Sequence, residues 1–86
     1  MYYVYILYSK KLEKFYIGRT QNIEKRIDDH NSKKVKFTSR GVPWKLVFYE
    51  AFINENDAMT EELFLKTGKG RERRKYLLQN YLDSLK

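Results

Sequence analysis

Two rhythms of apolar and polar positions succeed one another along this chain. Tyr2 to Tyr8, YYVYILY, is an unbroken aromatic and β-branched run of strand length, which predicts a strand covered on both faces. Side chains alternate in a strand, so Tyr3, Tyr5 and Leu7 go to one side and Tyr2, Val4, Ile6 and Tyr8 to the other. The short polar stretch Ser9 to Lys14 reads as a hairpin loop, and Phe15 to Arg19 as the returning second strand. Gly18 lies within that strand and leaves room for another backbone or a ligand to approach.

From Asn22 the rhythm becomes helical. Asn22 is placed to cap the helix, because its side-chain oxygen can accept from a free amide of the first turn. Ile23 and Ile27 mark the buried stripe of a helix running to Asn31, while Glu24, Lys25, Asp28 and Asp29 point outward. Arg26 and His30, one helical repeat apart, flank the isoleucines. Either Arg26 covers apolar surface with its stem and His30 is a satisfied boundary histidine, or both reach into a cleft beside the sheet.

Ser32 to Val42 is basic, closes on Gly41 and Pro43, and reads as the least structured part, with lysines free to move. Trp44 to Phe52, WKLVFYEAF, predicts the third strand of the same sheet. Asn54 or Asn56 then starts a helix to about Thr67, with Gly68 as its stop and Lys69-Gly70 as a tight connection. From about Arg71 the chain is helical again, and Leu77, Leu78, Tyr81, Leu82 and Leu85 should dock on the core. The expected architecture is α+β, a three-stranded, mainly antiparallel sheet flanked by three helices. No repeat, linker or low-complexity tract interrupts it.

Composition narrows the function. At 86 residues with 42% apolar content, residues 1–86 should form a single domain with one core. The chain has no cysteine and one histidine, which excludes disulfides, thiolate chemistry and a structural zinc site, so any metal must be held by oxygen. No apolar run approaches the roughly 20 residues of a membrane span, and the lysine-containing start does not read as a signal peptide. The expected location is the cytoplasm, with no membrane partner, and so compact a chain suits a bacterium.

The net charge is +7, and it is clustered. Lys33, Lys34, Lys36, Arg40 and Lys45 occur without an intervening acid, and Lys66, Lys69, Arg71, Arg73, Arg74 and Lys75 are opposed only by Glu72. The alternative is a solvated surface that aids solubility. Because the clusters enclose Phe37, Trp44 and Tyr76, nucleic acid is favoured over membrane or acidic protein as the polyanionic partner. On the helix that follows the third strand, Glu62 falls inside the apolar arc with Ala58, Met59 and Leu65, and Glu61 at its edge. An i,i+4 pair with Lys66 contributes only about 0.3–0.5 kcal/mol, little against the cost of burying a charge, so Glu62 is expected to line a cleft.

As a set, these residues resemble the GIY-YIG nuclease domain. Tyr3-Val4-Tyr5, then Tyr16-Ile17-Gly18, then Arg26 on the next helix and Glu62 on the one after match its motifs. The opening YVYIL, the PWKLV segment and the LKTGKGR stretch make the whole chain most similar to the small stand-alone bacterial members. Tyr3 stands where the first motif usually has glycine, and Asn80 lies in the region where some members carry an asparagine.

The resemblance implies metal-dependent hydrolysis of DNA phosphodiesters, on branched or damaged DNA in repair or recombination, with Mg²⁺ or Mn²⁺ as cofactor. It implies that Tyr5, Tyr16, Arg26, His30 and Glu62 are catalytic. Glu62 would hold the metal and Arg19 and Arg26 would bind phosphate, with the base left open among Tyr5, Tyr16 and His30. Phenols ionise near pH 10, so a tyrosine base needs neighbouring cations to lower it. Lys33, Lys34, Lys36, Arg40, Lys69 and Arg71 are the expected further phosphate contacts. Nothing resembles a dedicated sequence reader, so specificity is expected from DNA shape, a protein partner or self-association. The rival expectation is a nucleic-acid-binding module that does not cut, and a protein-interaction domain stands behind it.

Overall fold

In the computed structural model, which describes residues 1–86, the opening apolar run becomes β1 (Tyr2–Ser9). It is the middle strand of a three-stranded antiparallel sheet ordered β2-β1-β3. The central position explains why the run lacks polar interruptions: Val4, Tyr5, Ile6 and Leu7 are all buried, on alternate faces. The edges are β2 (Lys14–Thr20) and β3 (Trp44–Phe52).

Cross-strand partners share a face, so the register assigns every side chain to one. Tyr5 lies opposite Gly18 and Tyr49, and Leu7 opposite Tyr16 and Leu46; Val4 lies opposite Arg19 and Glu50, and Ile6 opposite Ile17 and Phe48. The face of Tyr5 is covered by α1 (Ile23–Asn31), whose Ile27 packs on Tyr5, Leu7 and Trp44. The other face is covered by α2 (Glu55–Leu65), α3 (Gly68–Leu77) and α4 (Gln79–Ser84). There Val4, Ile6 and Ile17 meet Ala58, Leu65 and Leu78.

Asn22 caps α1 as expected, its side chain accepting from the Lys25 amide at 3.0 Å. Asn54 rather than Asn56 caps α2, accepting from the Asn56 amide at 2.8 Å. The turn after α2 departs from the sequence reading. Thr67 donates its hydroxyl to Phe64 O at 2.6 Å and accepts from the Gly70 amide at 3.1 Å, so one side chain both closes α2 and opens α3. Gly68 and Gly70 therefore lie inside α3, and neither has a positive φ. A Cβ on Gly70 would strike the backbone of Phe64 and Leu65. Its glycine is required by the closeness of the α2–α3 crossing and not by a turn.

Residues 32–42 are more ordered than their composition implies, with a 3₁₀ segment over Lys36–Gly41. Its backbone is tied to distant residues: Trp44 Nε1 donates to Thr38 O at 2.7 Å and Ser9 Oγ to Gly41 O at 2.6 Å. Asn31 holds both backbone groups of Trp44, at 2.6 and 3.1 Å. Trp44 is thus core. The last helical stretch is broken at Leu78, which is why four helices are seen where three were expected. Leu78 is buried, Leu77 and Leu82 pack around it, and Leu85 stays in solvent.

The α2–α3 face also holds an acidic pair. Glu50 on β3 lies against Glu61 of α2, with Arg73 of α3 within 3.9 Å of the first and 3.7 Å of the second. Burial, then the neighbouring Glu61, pushes the Glu50 carboxyl up to about 7, against the pull of Arg73.

Two predictions follow from this packing. Replacing Gly70 by alanine should destabilise the protein by about 1–3 kcal/mol in thermal or denaturant unfolding. Gly68→Ala, which enters open space, should be neutral or stabilise by up to about 1 kcal/mol. Because the folded state holds the Glu50 proton more tightly than the unfolded chain, its contribution is full below the ordinary glutamate range and lost as pH rises through about 7. Between about pH 5 and pH 8 the wild type should lose stability relative to Glu50→Gln, at no more than about 1.4 kcal/mol per pH unit. Parallel curves would show that Glu50 is ionised throughout.

Candidate functional site

The interior of the α1 face is polar at one place. His30, on the last turn of α1, has no exposed surface, so both ring nitrogens need partners. Thr38 Oγ1 lies 2.7 Å from His30 Nδ1 and also donates to Val35 O at 3.3 Å. With its only proton directed at Val35, Thr38 must accept from Nδ1–H, which leaves Nε2 as an acceptor. The Tyr5 hydroxyl, 3.0 Å away, donates to it. His30 is thereby neutral, and burial, reinforced by the charge of Arg26, lowers its pKa despite the opposing Asp29.

Tyr5 is only 1% exposed. Burial pushes its phenol up to about 12, although Arg26 beside the hydroxyl favours the phenolate. The lowering by cations that the sequence reading called for is outweighed here by desolvation. Arg26 itself is held in its charged form first by Tyr5 and then by Tyr16. Gly18 supplies the space for this arrangement, because a Cβ there would run into the Tyr5 hydroxyl and ring. What approaches Gly18 is therefore the Tyr5 ring, lying over the backbone of the edge strand.

Tyr16 is the more accessible phenol. Half-buried on β2, its ring centroid is 4.8 Å from that of His30, 6.3 Å from Tyr5 and 6.0 Å from Phe37. Tyr5, Tyr16, Arg26 and His30 thus form one cluster on the α1 face. Arg19 and Glu62 belong to the opposite face, since Arg19 pairs with Val4. Glu62 forms an ion pair with Arg19 Nε at 3.4 Å and accepts a hydrogen bond from Lys66 Nζ at 3.1 Å, one cation at each oxygen. The negative charge of Glu62 is the least of the influences on the Tyr5 phenol and acts in the same direction as burial.

A cleft of about 290 Å³ beside this carboxylate is lined by Tyr2, Arg19, Thr20, Gln21, Glu55 and Glu62. No three acidic or histidine side chains converge on one point, so the protein alone does not cage a divalent ion. The donor set does fit Mg²⁺ as that ion is commonly bound beside phosphate, by one or two carboxylates with water and substrate oxygens completing the shell. Glu62 would be the carboxylate for such an ion, with Glu55 in the same cleft.

Lys33, Lys34, Lys36, Arg40, Lys69 and Arg71 are all exposed, and Lys34 is engaged with Asp29 at 3.8 Å. None of them lines the groove beside Tyr16. Besides Arg26, the cations next to Tyr16 are Lys66 and Arg74, which with Phe15, Ile17 and Phe37 line that groove of about 480 Å³ along the free edge of β2. Arg74 and Thr38 escaped the sequence reading of the site. Arg74 was one charge in a cluster, and Thr38 had no local signal because its partner lies on another element.

Comparison with known proteins agrees with this fold. Residues 1–76 match the GIY-YIG catalytic domain. A UPF0213 protein of Limosilactobacillus reuteri is 34% identical over 88 residues, covering 99% of this chain and 91% of the relative. A UPF0213 protein of Clostridium perfringens is 45% identical over 67 residues, covering 77% and 71%. The solution NMR structure of a UPF0213 protein from Bacillus halodurans superimposes with a TM-score of 0.55 at 34% identity, covering 90% of this chain and 85% of that one.

The buried chain through His30 makes a prediction about stability. Tyr5→Phe leaves Nε2 without its donor and should cost about 1–3 kcal/mol in denaturant unfolding. Tyr16→Phe, which breaks no buried hydrogen bond of this chain, should cost less than about 1 kcal/mol. Nitrogen NMR of the imidazole should report Nδ1–H. The stability that neutral His30 supports is present above its ordinary range and lost as the pH falls through its lowered folded value.

Proposed function

The chain belongs to the GIY-YIG family, in its branch of small bacterial UPF0213 proteins, and from that premise we propose that it is a nuclease hydrolysing DNA phosphodiesters with Mg²⁺ or Mn²⁺ at Glu62. What supports this reading is that the edge strand β2 is flanked by a phenol–guanidinium cluster on one face and, on the other, by a carboxylate paired with two cations.

Hydrolysis requires charge on the phosphoryl oxygens to be neutralised and a water to lose its proton. Arg26 is positioned to donate two parallel hydrogen bonds to the phosphate, and Arg19 adds positive potential from the other face. Between the two phenols, Tyr16 is the one that can meet a water, since Tyr5 is buried and spends its proton on His30. Tyr16, beside Arg26, is the base that takes the proton of the attacking water. Tyr5, His30 and Thr38 then act as positioning residues that keep Arg26 and Tyr16 in register. A divalent cation at Glu62 would supply further positive charge to the phosphate. Branched or damaged DNA is the proposed substrate class, and the cytoplasm the proposed location.

One observation favours a second reading, a module that binds nucleic acid without cutting: both oxygens of Glu62 are already neutralised by Arg19 and Lys66. The two readings separate on one set of measurements. Nicked and branched DNA incubated with the purified protein and Mg²⁺ or Mn²⁺ should be cut, and chelation should stop it. Glu62→Gln, Arg26→Ala and Tyr16→Phe should each lower the rate by about 10²-fold or more, while Tyr5→Phe lowers it less. Binding in chelator should survive Glu62→Gln and weaken about a hundredfold between 50 and 200 mM salt, the slope for about four phosphate contacts. Binding without cleavage under any metal would establish the second reading, and cleavage untouched by these substitutions would remove the assigned residues.

A further inference from the structure

The groove beside Tyr16 has a composition that phosphate chemistry alone does not explain. Phe37, in the middle of the 3₁₀ segment, leaves 85% of its surface in solvent. It is not on a loose tether. The neighbouring Thr38 is buried, and its hydroxyl and carbonyl are fixed by His30 and Trp44 at 2.7 Å each. Ser39 Oγ donates to Lys36 O at 2.8 Å across the Phe37 backbone. Phe37 is therefore presented by a rigid support, its ring 6.0 Å from Tyr16 and tilted by 48°.

Across the groove the wall is cationic. Lys66 stands at its rim, and Arg74 of α3 lines it with a buried Nε that has no hydrogen-bond partner. The Arg74 guanidinium has no acidic partner in this chain, and its only charged neighbour of note is Arg71, so its charge is open to an anion from outside. Aromatic surface on one side and an unsatisfied guanidinium on the other suit a ligand that has a flat apolar part joined to an anion. A groove of about 480 Å³ has room for one nucleotide, and a stacking wall suits an unpaired base, because the bases of a duplex expose no faces.

We propose that this groove is a subsite for a single unpaired nucleotide of the DNA, its base stacked on Phe37 beside Tyr16 and its phosphate on Arg74 and Lys66. The proposal rests on the nuclease reading only for the identity of the polymer. It makes Phe37 a specificity-determining residue: stacking tolerates any base but demands that the base be out of the helix. The protein then selects bulges, flaps and branch points over intact duplex without reading sequence, and places Tyr16 beside the backbone of the extruded nucleotide.

The test is binding in chelator, where no cleavage occurs, measured by fluorescence anisotropy with three labelled duplexes. One is fully paired, one carries a single-nucleotide bulge, and one carries the same bulge with an abasic sugar. The wild type should bind the base-bearing bulge about tenfold more tightly than the abasic one. Phe37→Ala should bring the two within about twofold, Phe37→Trp should retain the preference, and Arg74→Ala should weaken all three alike. Folding is not at risk in the Phe37 variants, because the ring makes so little of the core. Equal binding of the two bulges by the wild type, or a preference that survives Phe37→Ala, would overturn the proposal. Cleavage in Mg²⁺ without base preference leaves the nuclease reading standing and removes this one. Base preference without cleavage does the reverse, and failure to bind any of the three at low salt removes both.

Discussion

A single neutral imidazole joins the parts of this protein that matter to its chemistry. His30 has no access to water, so it must be given a donor and an acceptor from within. Tyr5 supplies one from β1 and Thr38 the other from the 3₁₀ segment. Thr38 in turn is held through its carbonyl by Trp44 of β3. The requirement to satisfy one ring therefore fixes the distance between sheet, helix and connecting segment. The same bonds set the position of Arg26, Tyr16 and Phe37, none of which is buried itself.

The sheet imposes the second constraint. Because faces alternate, Tyr16 and Arg19 on the same short strand must look opposite ways, and residues from both faces can cooperate only around an edge. β2 is such an edge, and Gly18 lets the Tyr5 ring lie across it. Exposed strand edges are usually blunted because they invite pairing with other chains. Here Phe37, Lys66 and Arg74 stand along it.

Much of this was legible in the residues. The unbroken YYVYILY run required a middle strand, and the Asn22 cap with Ile23 and Ile27 located α1 and its inner side. The four-residue spacing of Arg26 and His30 placed them together, as the structure does. What could not be read were features whose cause is distant in the chain. Residues 32–42 look irregular because their anchors are Ser9, His30 and Trp44, and the need for Thr38 exists only once His30 is buried. Gly70 was taken for a turn because glycine permits turns, whereas here it permits contact. The level of the Tyr5 phenol was misjudged because neighbouring charges can be inferred from a motif and the loss of water cannot.

The corner at Thr67 carries a mechanical implication. With one hydroxyl engaged to the end of α2 and the beginning of α3, and with Gly70 seated on the Phe64 carbonyl, the two helices behave as a bracket with a stiff elbow. Glu62 rides on one arm and Arg74 on the other. The separation of Glu62 from Arg74 is therefore set by this one corner.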